Sequence, residues 1–420
     1  MRKVGLRKNL LSRMKQLPRL IGEAKVNLKE VPGLYIKTGI EMVNSTIDYL
    51  RNFDASPLIK NTKSNKELLS IVRNAVGELC SFKVFLSEKG ASGTALKGRQ
   101  ELEDILNNSF SYNRSLEEIF DIARLEYDNT IKELEHAAGK IGSRKKWQNI
   151  LSEYCLDAKN KKELLNYYAE QIDRLKTFFT EKDLVTIPKS QTILARETPP
   201  FLIPVRASAS YSCPVTNDMK EPAFFYVTAK YAKFDKPTDR RAKSIHNEYI
   251  FISAHETYIG HHLLDTHRRQ LKNPIRRQVE SALFYEGWAS YAEWFIASLG
   301  YIKGPLQRMV GLKRRAWRAI RAMLDAGVRI NKISLEDAKR MLSDLGYEPD
   351  IVKSMVDHYI LTPGYQLCYT VGKFEIEQLK NRFSHTMGLK KFHDALLESG
   401  EAPFDLIKER MDKLICKDSF

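Results

Sequence analysis

Apolar residues recur every three or four positions through most of the first ~185 residues, the spacing that gathers them on one face of an α-helix. The clearest case follows Ser115-Leu116-Glu117-Glu118, where a hydroxyl and a carboxylate are placed to satisfy free amides at a helix start. Phe120, Ala123, Tyr127, Ile131 and Leu134 then make a single apolar stripe. Segments around 65–88 and 161–180 are similarly amphipathic. These patterns predict long antiparallel helices packed stripe against stripe, and nothing in them suggests chemistry.

The pattern changes between 186 and 237. Prolines at 188, 199, 200, 204, 214, 222 and 237 exclude long helices there. Val205 to Tyr211 and Phe224 to Thr228 read as short strands, joined through a turn-rich segment from Pro214 to Pro222, so an antiparallel hairpin is expected. Helical patterns resume near 240. Ser334-Leu335-Glu336-Asp337 is a second helix-start signal, and Thr362-Pro363-Gly364 breaks the pattern before Tyr365 to Lys380. The expectation is a mainly α fold of two helical lobes with a small antiparallel β-sheet. It divides into a helical lobe (1–185), a region with short strands (186–300) and a C-terminal helical region (301–420).

Composition narrows this picture only a little. The 420 residues are 43% apolar and 29% charged, ordinary for a globular protein and enough for two or three domains. No run of ~18 apolar residues predicts a membrane span, and no apolar signal core follows the basic Met1 to Arg7, so the expected location is cytoplasmic. Cysteines 80, 155, 213, 368 and 416 are odd in number and lack metal-ligand spacing, which fits reduced thiols. The net charge of +16 brings two basic clusters, Arg268, Arg269, Lys272, Arg276, Arg277 and Lys313, Arg314, Arg315, Arg318, Arg321. A solvated basic surface explains them better than nucleic-acid binding, because no zinc finger, phosphate loop or aromatic-basic RNA motif accompanies them.

The candidate chemistry lies in His255-Glu256-Thr257-Tyr258-Ile259-Gly260-His261-His262. Neutral imidazoles and an adjacent carboxylate are what a catalytic zinc ion requires: nitrogen ligands, and a base to take a proton from water. Glu286, thirty residues beyond Glu256, offers an acidic third ligand. The spacing departs from H-E-x-x-H, which puts two histidines one turn apart on one helical face. His261 lies six residues after His255, a rotation of about 600°, and His262 lies seven after, about 10 Å along the axis. Either can join His255 only if the helix is broken, and Gly260 marks the place for a break. The predicted hairpin beside this helix could hold an extended peptide along its edge.

His255-Glu256-x-x-x-Gly260-His261-His262, followed by Glu286-Gly287-Trp288-Ala289-x-Tyr291-Ala292-Glu293, resembles the family catalogued as domain of unknown function 885, grouped with gluzincin-type zinc peptidases. Glu197-Thr198-Pro199-Pro200-Phe201-Leu202, Arg318-x-x-Arg321-x-x-x-Asp325-x-Gly327 and Pro363-Gly364…Tyr369-x-Val371-Gly372 extend the resemblance over roughly residues 25–385. Glu286 to Tyr291 is also similar to the N-E-G-F-A-x-Y segment of aminopeptidase N-like enzymes, whose glutamate is the third zinc ligand. Dipeptidyl peptidase III is similar in having an extra residue before its Gly-His pair, which by analogy makes His261 the second ligand. The chain departs from the family at Ile259, where proline is usual, at Arg329, where histidine is usual, and at Tyr365, where glutamine is usual. It also looks shorter than typical members at its N-terminus.

The resemblance implies a zinc metallopeptidase cleaving short peptides. His255, His261 and Glu286 would hold zinc, with Glu256 as the base. His262 is the alternative second ligand, and Glu293, two turns beyond Glu286 on one face, suits support of a ligand better than ligation. Tyr369 is the candidate donor to the developing oxyanion. Arg318 and Arg321 are candidates to grip a substrate C-terminal carboxylate, pointing to carboxypeptidase action, and Tyr211 is a candidate substrate contact. The competing readings are a zinc amidohydrolase acting on a small amide and a non-enzymatic basic helical scaffold or nucleic-acid-binding protein.

Overall fold

A computed structural model describes residues 9, 11–52, 65–141, 145–189, 191–199, 202–203, 208–214, 218–229 and 246–418. Met1 to Arg7, Pro200, Phe201, Pro204 to Ala207, Asn217 and Pro237 from the sequence reading lie outside the described residues. The chain divides into two compact units, Met1–Lys97 and Gly98–Phe420.

The first unit holds helices α1 (Leu17–Asn27), α2 (Gly33–Arg51) and α3 (Asn65–Glu88). Both α1 and α2 pack on α3. Their stripes meet in a core of Ile21, Val43, Ile47, Leu79 and Leu86, with Leu68 and Val72 buried in a second small cluster. Burial of aliphatic side chains at about 25 cal/mol per Å² is what holds such a bundle together.

The second unit carries the candidate chemistry. It begins with α4 (Arg99–Asp104), α5 (Leu116–Lys140), α6 (Trp147–Glu153) and α7 (Lys161–Lys182). The helix start at Ser115 forms as the sequence predicts: its hydroxyl accepts from Glu118 N at 3.2 Å and Glu118 Oε2 accepts from Ser115 N at 2.9 Å. Within the stripe, Phe120, Ala123 and Leu134 are buried.

Three strands follow, β1 (Ile193–Glu197), β2 (Ala209–Ser212) and β3 (Ala223–Val227), in the order β1-β3-β2. The expected antiparallel sheet is therefore corrected to a mixed one. β2 and β3 pair antiparallel, but the unanticipated β1 pairs parallel with β3, from Ile193↔Ala223 to Glu197↔Val227. The sequence misses β1 because five residues close to prolines show no period, and its partner is set by the fold. β3 alternates buried Ala223, Phe225 and Val227 with half-buried Phe224 and Tyr226, the period of two that betrays a strand.

The remaining helices are α8 (Tyr249–Glu256), α9 (His261–Gln270), α10 (Ala282–Ser298), α11 (Pro305–Gly327), α12 (Leu335–Asp344), α13 (Pro349–Leu361), α14 (Cys368–Met387), α15 (Leu389–Glu398) and α16 (Phe404–Asp418). Helix α11 packs along α5, and α10 along α14. The α10–α14 crossing is backbone to backbone. A Cβ on Gly287 would meet Gly372 Cα at 2.6 Å, and one on Gly372 would meet Leu283 O at 2.0 Å. That closeness brings Tyr369 of α14 beside the Glu286 turn of α10.

Candidate metal centre

Helix α8 ends at Glu256 and α9 starts at His261, so the histidines come from the ends of two helices and not from one face of a single helix. The requirement at Gly260 is space: its φ is −77°, but an added Cβ would meet His255 O at 1.8 Å. The break frees carbonyls inside the protein, and buried carbonyls need donors. Trp288 Nε1 supplies one, donating to Ile259 O at 2.7 Å and Gly260 O at 3.2 Å.

This arrangement brings together three of the residues named from sequence. One ligand atom from each of His255, His261 and Glu286 falls within 4.8 Å of the others, and all three residues are buried. Glu286 Oε2 lies 3.2 Å from His255 Nε2 and 3.5 Å from His261 Nε2. A tetrahedral zinc ion with ~2.0–2.1 Å bonds separates its ligand atoms by about 3.3–3.4 Å, so these two spacings match its edges. Glu286 Oε2 is also a buried oxygen with no hydrogen-bond donor, an orphan that a cation would satisfy. The residues fit zinc, and a His/His/Glu donor set suits it.

Behind the ligands stands a charged support. His255 Nδ1 lies 2.9 Å from Glu293 Oε1 and 3.2 Å from an Arg318 nitrogen. A carboxylate can only accept, so the Nδ1 proton goes to Glu293, leaving Nε2 as the lone pair that faces Glu286. Glu293 is held in turn by Arg314 Nε at 2.9 Å and Arg318 at 2.7 Å. Burial would push its carboxyl up, but Arg314, Arg318 and His255 together outweigh this and hold it well below the usual carboxylate range. Glu293 is therefore an ionised acceptor for the His255 Nδ1 proton.

His262 turns away. Its Nε2 makes a short hydrogen bond with Gln191 Oε1, which also accepts from Tyr258 at 2.7 Å. Burial, then Arg269 and Lys176, push the His262 imidazole down to about 3, so it stays neutral. Glu256 is half-buried, and its Oε2 accepts from Tyr211 N at 3.1 Å, tying the end of α8 to β2. Tyr211 thus touches the site through its backbone, and its ring packs edge-on against His262. Tyr369 stacks over His255 with ring centres 6.3 Å apart.

Both arginines named for substrate are buried and engaged inside the fold. Arg318 pairs with Glu293, while Arg321 donates to Gln366 Oε1 at 2.8 Å and lies 4.1 Å above the Tyr369 ring. The rest of that basic cluster is likewise internal. Arg314 pairs with Glu293 and Glu248, and Arg315 with Glu126 and Glu133. The charges of Arg314, Arg315 and Arg318 are thus counterbalanced within the fold. One contact escaped the sequence reading: Tyr365, noted there only as a departure, donates a short hydrogen bond to Glu286 Oε1. No sequence signal links them, because they lie 79 positions apart and Tyr365 is on a loop.

The fold is shared by solved structures. A crystal structure described as a putative lipoprotein from Colwellia psychrerythraea matches with a TM-score of 0.76 and 17% identity, covering 97% of this chain and 75% of that one. A putative lipoprotein of unknown function from Shewanella oneidensis matches with a TM-score of 0.72 and 18% identity, over 96% and 78%. No curated protein matches. No helix among the described residues is long and apolar enough to cross a membrane. The family model described as "Bacterial protein of unknown function (DUF885)" matches residues 2–411, and the chain belongs to that family.

Proposed function

We propose that this protein is a zinc-dependent metallopeptidase acting on short peptides. The observation that carries the reading is the buried Glu286 oxygen without a donor, set between two imidazole nitrogens at tetrahedral-edge distances. His255, His261 and Glu286 would hold the ion. Zinc, when bound, polarises a carbonyl and makes water more acidic. Glu256 follows the first ligand by one residue, and with Oε2 held by Tyr211 N its other oxygen is left to take a proton from water and pass it to the leaving amine. Tyr369 keeps its proton, because burial and then the Glu286 charge push its phenol up, so it can serve as a donor to developing negative charge. Arg318 and Arg321 act behind these groups, the first on Glu293 and the second against the Tyr369 ring. The basic-scaffold alternative loses support because Arg314, Arg315 and Arg318 are paired inside the fold.

The test is metal content by elemental mass spectrometry on protein purified without chelator, followed by cleavage of a short-peptide library. The expected result is about one zinc per chain, lost in His255→Ala and Glu286→Ala. Peptide cleavage should be chelator-sensitive and fall roughly 10²–10⁴-fold in Glu256→Gln with zinc retained. A wild type that holds no zinc and takes none up would refute the reading.

A further inference from the structure

Glu286 has two oxygens, and the centre treats them differently. Oε2 faces the imidazoles with no donor of its own, whereas Oε1 accepts from the Tyr365 phenol. Tyr365 stands 38% exposed, while Glu286, His255, His261 and Tyr369 are buried.

The loop that presents Tyr365 is anchored from below. The buried Asp325 carboxylate accepts from Gly364 N at 3.2 Å, Gln366 N at 3.1 Å and Leu367 N at 3.3 Å, and Arg329 pairs with it at 3.0 Å. Gly364 turns the chain at φ +78°, where a Cβ would meet Ile105 at 2.8 Å. The Tyr365 ring also meets the Tyr369 ring edge-on, with centres 5.7 Å apart. A phenol has one proton to give. Tyr365 commits that proton to Glu286 Oε1, and Tyr369 keeps its own.

A carboxylate without such a partner can turn either oxygen, or both, toward a cation. A donor on Oε1 alone makes the two inequivalent. We infer that Tyr365 is a positioning residue of the metal centre, whose hydroxyl holds Glu286 Oε1 so that Oε2 alone is presented to the ion. The inference rests on the metallopeptidase reading of the same cluster. It assigns to the Asp325-anchored loop the task of fixing how the third ligand binds.

The experiment compares wild type with Tyr365→Phe and Tyr365→Leu. Zinc affinity is measured by competition with a chromophoric chelator, coordination by the visible spectrum of the cobalt-substituted protein, and folding by the melting temperature of the metal-free form. Both variants should bind zinc roughly 10–100-fold more weakly, with an unchanged metal-free melting temperature. The cobalt absorption should weaken as Glu286 binds through both oxygens and the coordination number rises. Unchanged affinity and spectrum would overturn the inference. So would an affinity loss that tracks a fall in metal-free stability, which would make Tyr365 a packing residue. A wild type that binds no zinc would instead remove the metallopeptidase reading, and the role of Tyr365 with it.

Discussion

Gly260→Ala is the smallest change that tests how the centre is assembled. The added Cβ would stand 1.8 Å from His255 O and 2.4 Å from Ala254 O, whereas real Cβ contacts essentially never fall below 3.0 Å. Both obstacles are backbone, so no side chain can swing aside. The chain between α8 and α9 must open by at least about 1.2 Å, the gap between those first and last distances. Metal ligands tolerate roughly ±0.2 Å about their bond lengths, and His261 is the next residue along. The displacement is therefore several times what the second ligand can absorb. Overpacking of this kind costs about 1–3 kcal/mol, which a domain of this size survives while remaining folded. The expected outcome is a folded protein, with a melting temperature lowered by a few degrees, that has lost zinc affinity by more than roughly 100-fold. Circular dichroism reads the fold and chelator competition reads the metal. A Gly260→Ala variant that binds zinc as tightly as wild type would refute the claim that the helix break positions His261.

Two further outcomes follow from the buried charges. Glu293→Gln replaces the carboxylate that orients His255 with a neutral amide and leaves Arg318 without its counter-charge. It should weaken zinc binding roughly 10–100-fold and cost about 3–5 kcal/mol in urea unfolding, and a loss below 1 kcal/mol would contradict the buried pairing. His246 and His393 are each held near 4 by burial, below the ordinary value of 6.5. Below pH 6.5 the unfolded chain takes up protons that the folded one refuses, so stability present above 6.5 is lost as pH falls toward 4, by about 3 kcal/mol per histidine. Urea midpoints measured across that window should fall, less steeply in His393→Gln, and a flat profile would show that neither imidazole is kept neutral by the fold.

What could be read from the sequence is what is encoded locally. Ser115 and Glu118 lie three residues apart and satisfy each other's amides, so their spacing announced the start of α5. Glu293 lies two turns beyond Glu286 on the same face of α10, which is why a supporting role could be inferred for it. Partners distant in sequence were hidden. Arg314 and Arg318 read as free positive charge because nothing near them in the chain reveals that Glu293 and Glu248 neutralise them. Tyr365 was hidden for the same reason, reaching Glu286 from a loop that is shaped by Asp325, forty residues upstream in α11.

The two sequence blocks, His255 to His262 and Glu286 to Glu293, are one structural unit. Ending α8 at Glu256 and restarting at His261 lets His255 and His261 converge despite spacing that a continuous helix forbids. The break exposes Ile259 O in a buried place, where an unpaired carbonyl costs about 1–3 kcal/mol. The donor that satisfies it is Trp288, two residues after Glu286. The second block therefore supplies both the acidic side chain that completes the donor set and the indole that makes the irregular first block tolerable. Gly287, between them, permits the close crossing of α14 that brings Tyr369 alongside. Glu286-Gly287-Trp288 is thus three adjacent requirements of one geometry, which explains why an unusual histidine spacing and this tripeptide occur together in the chain.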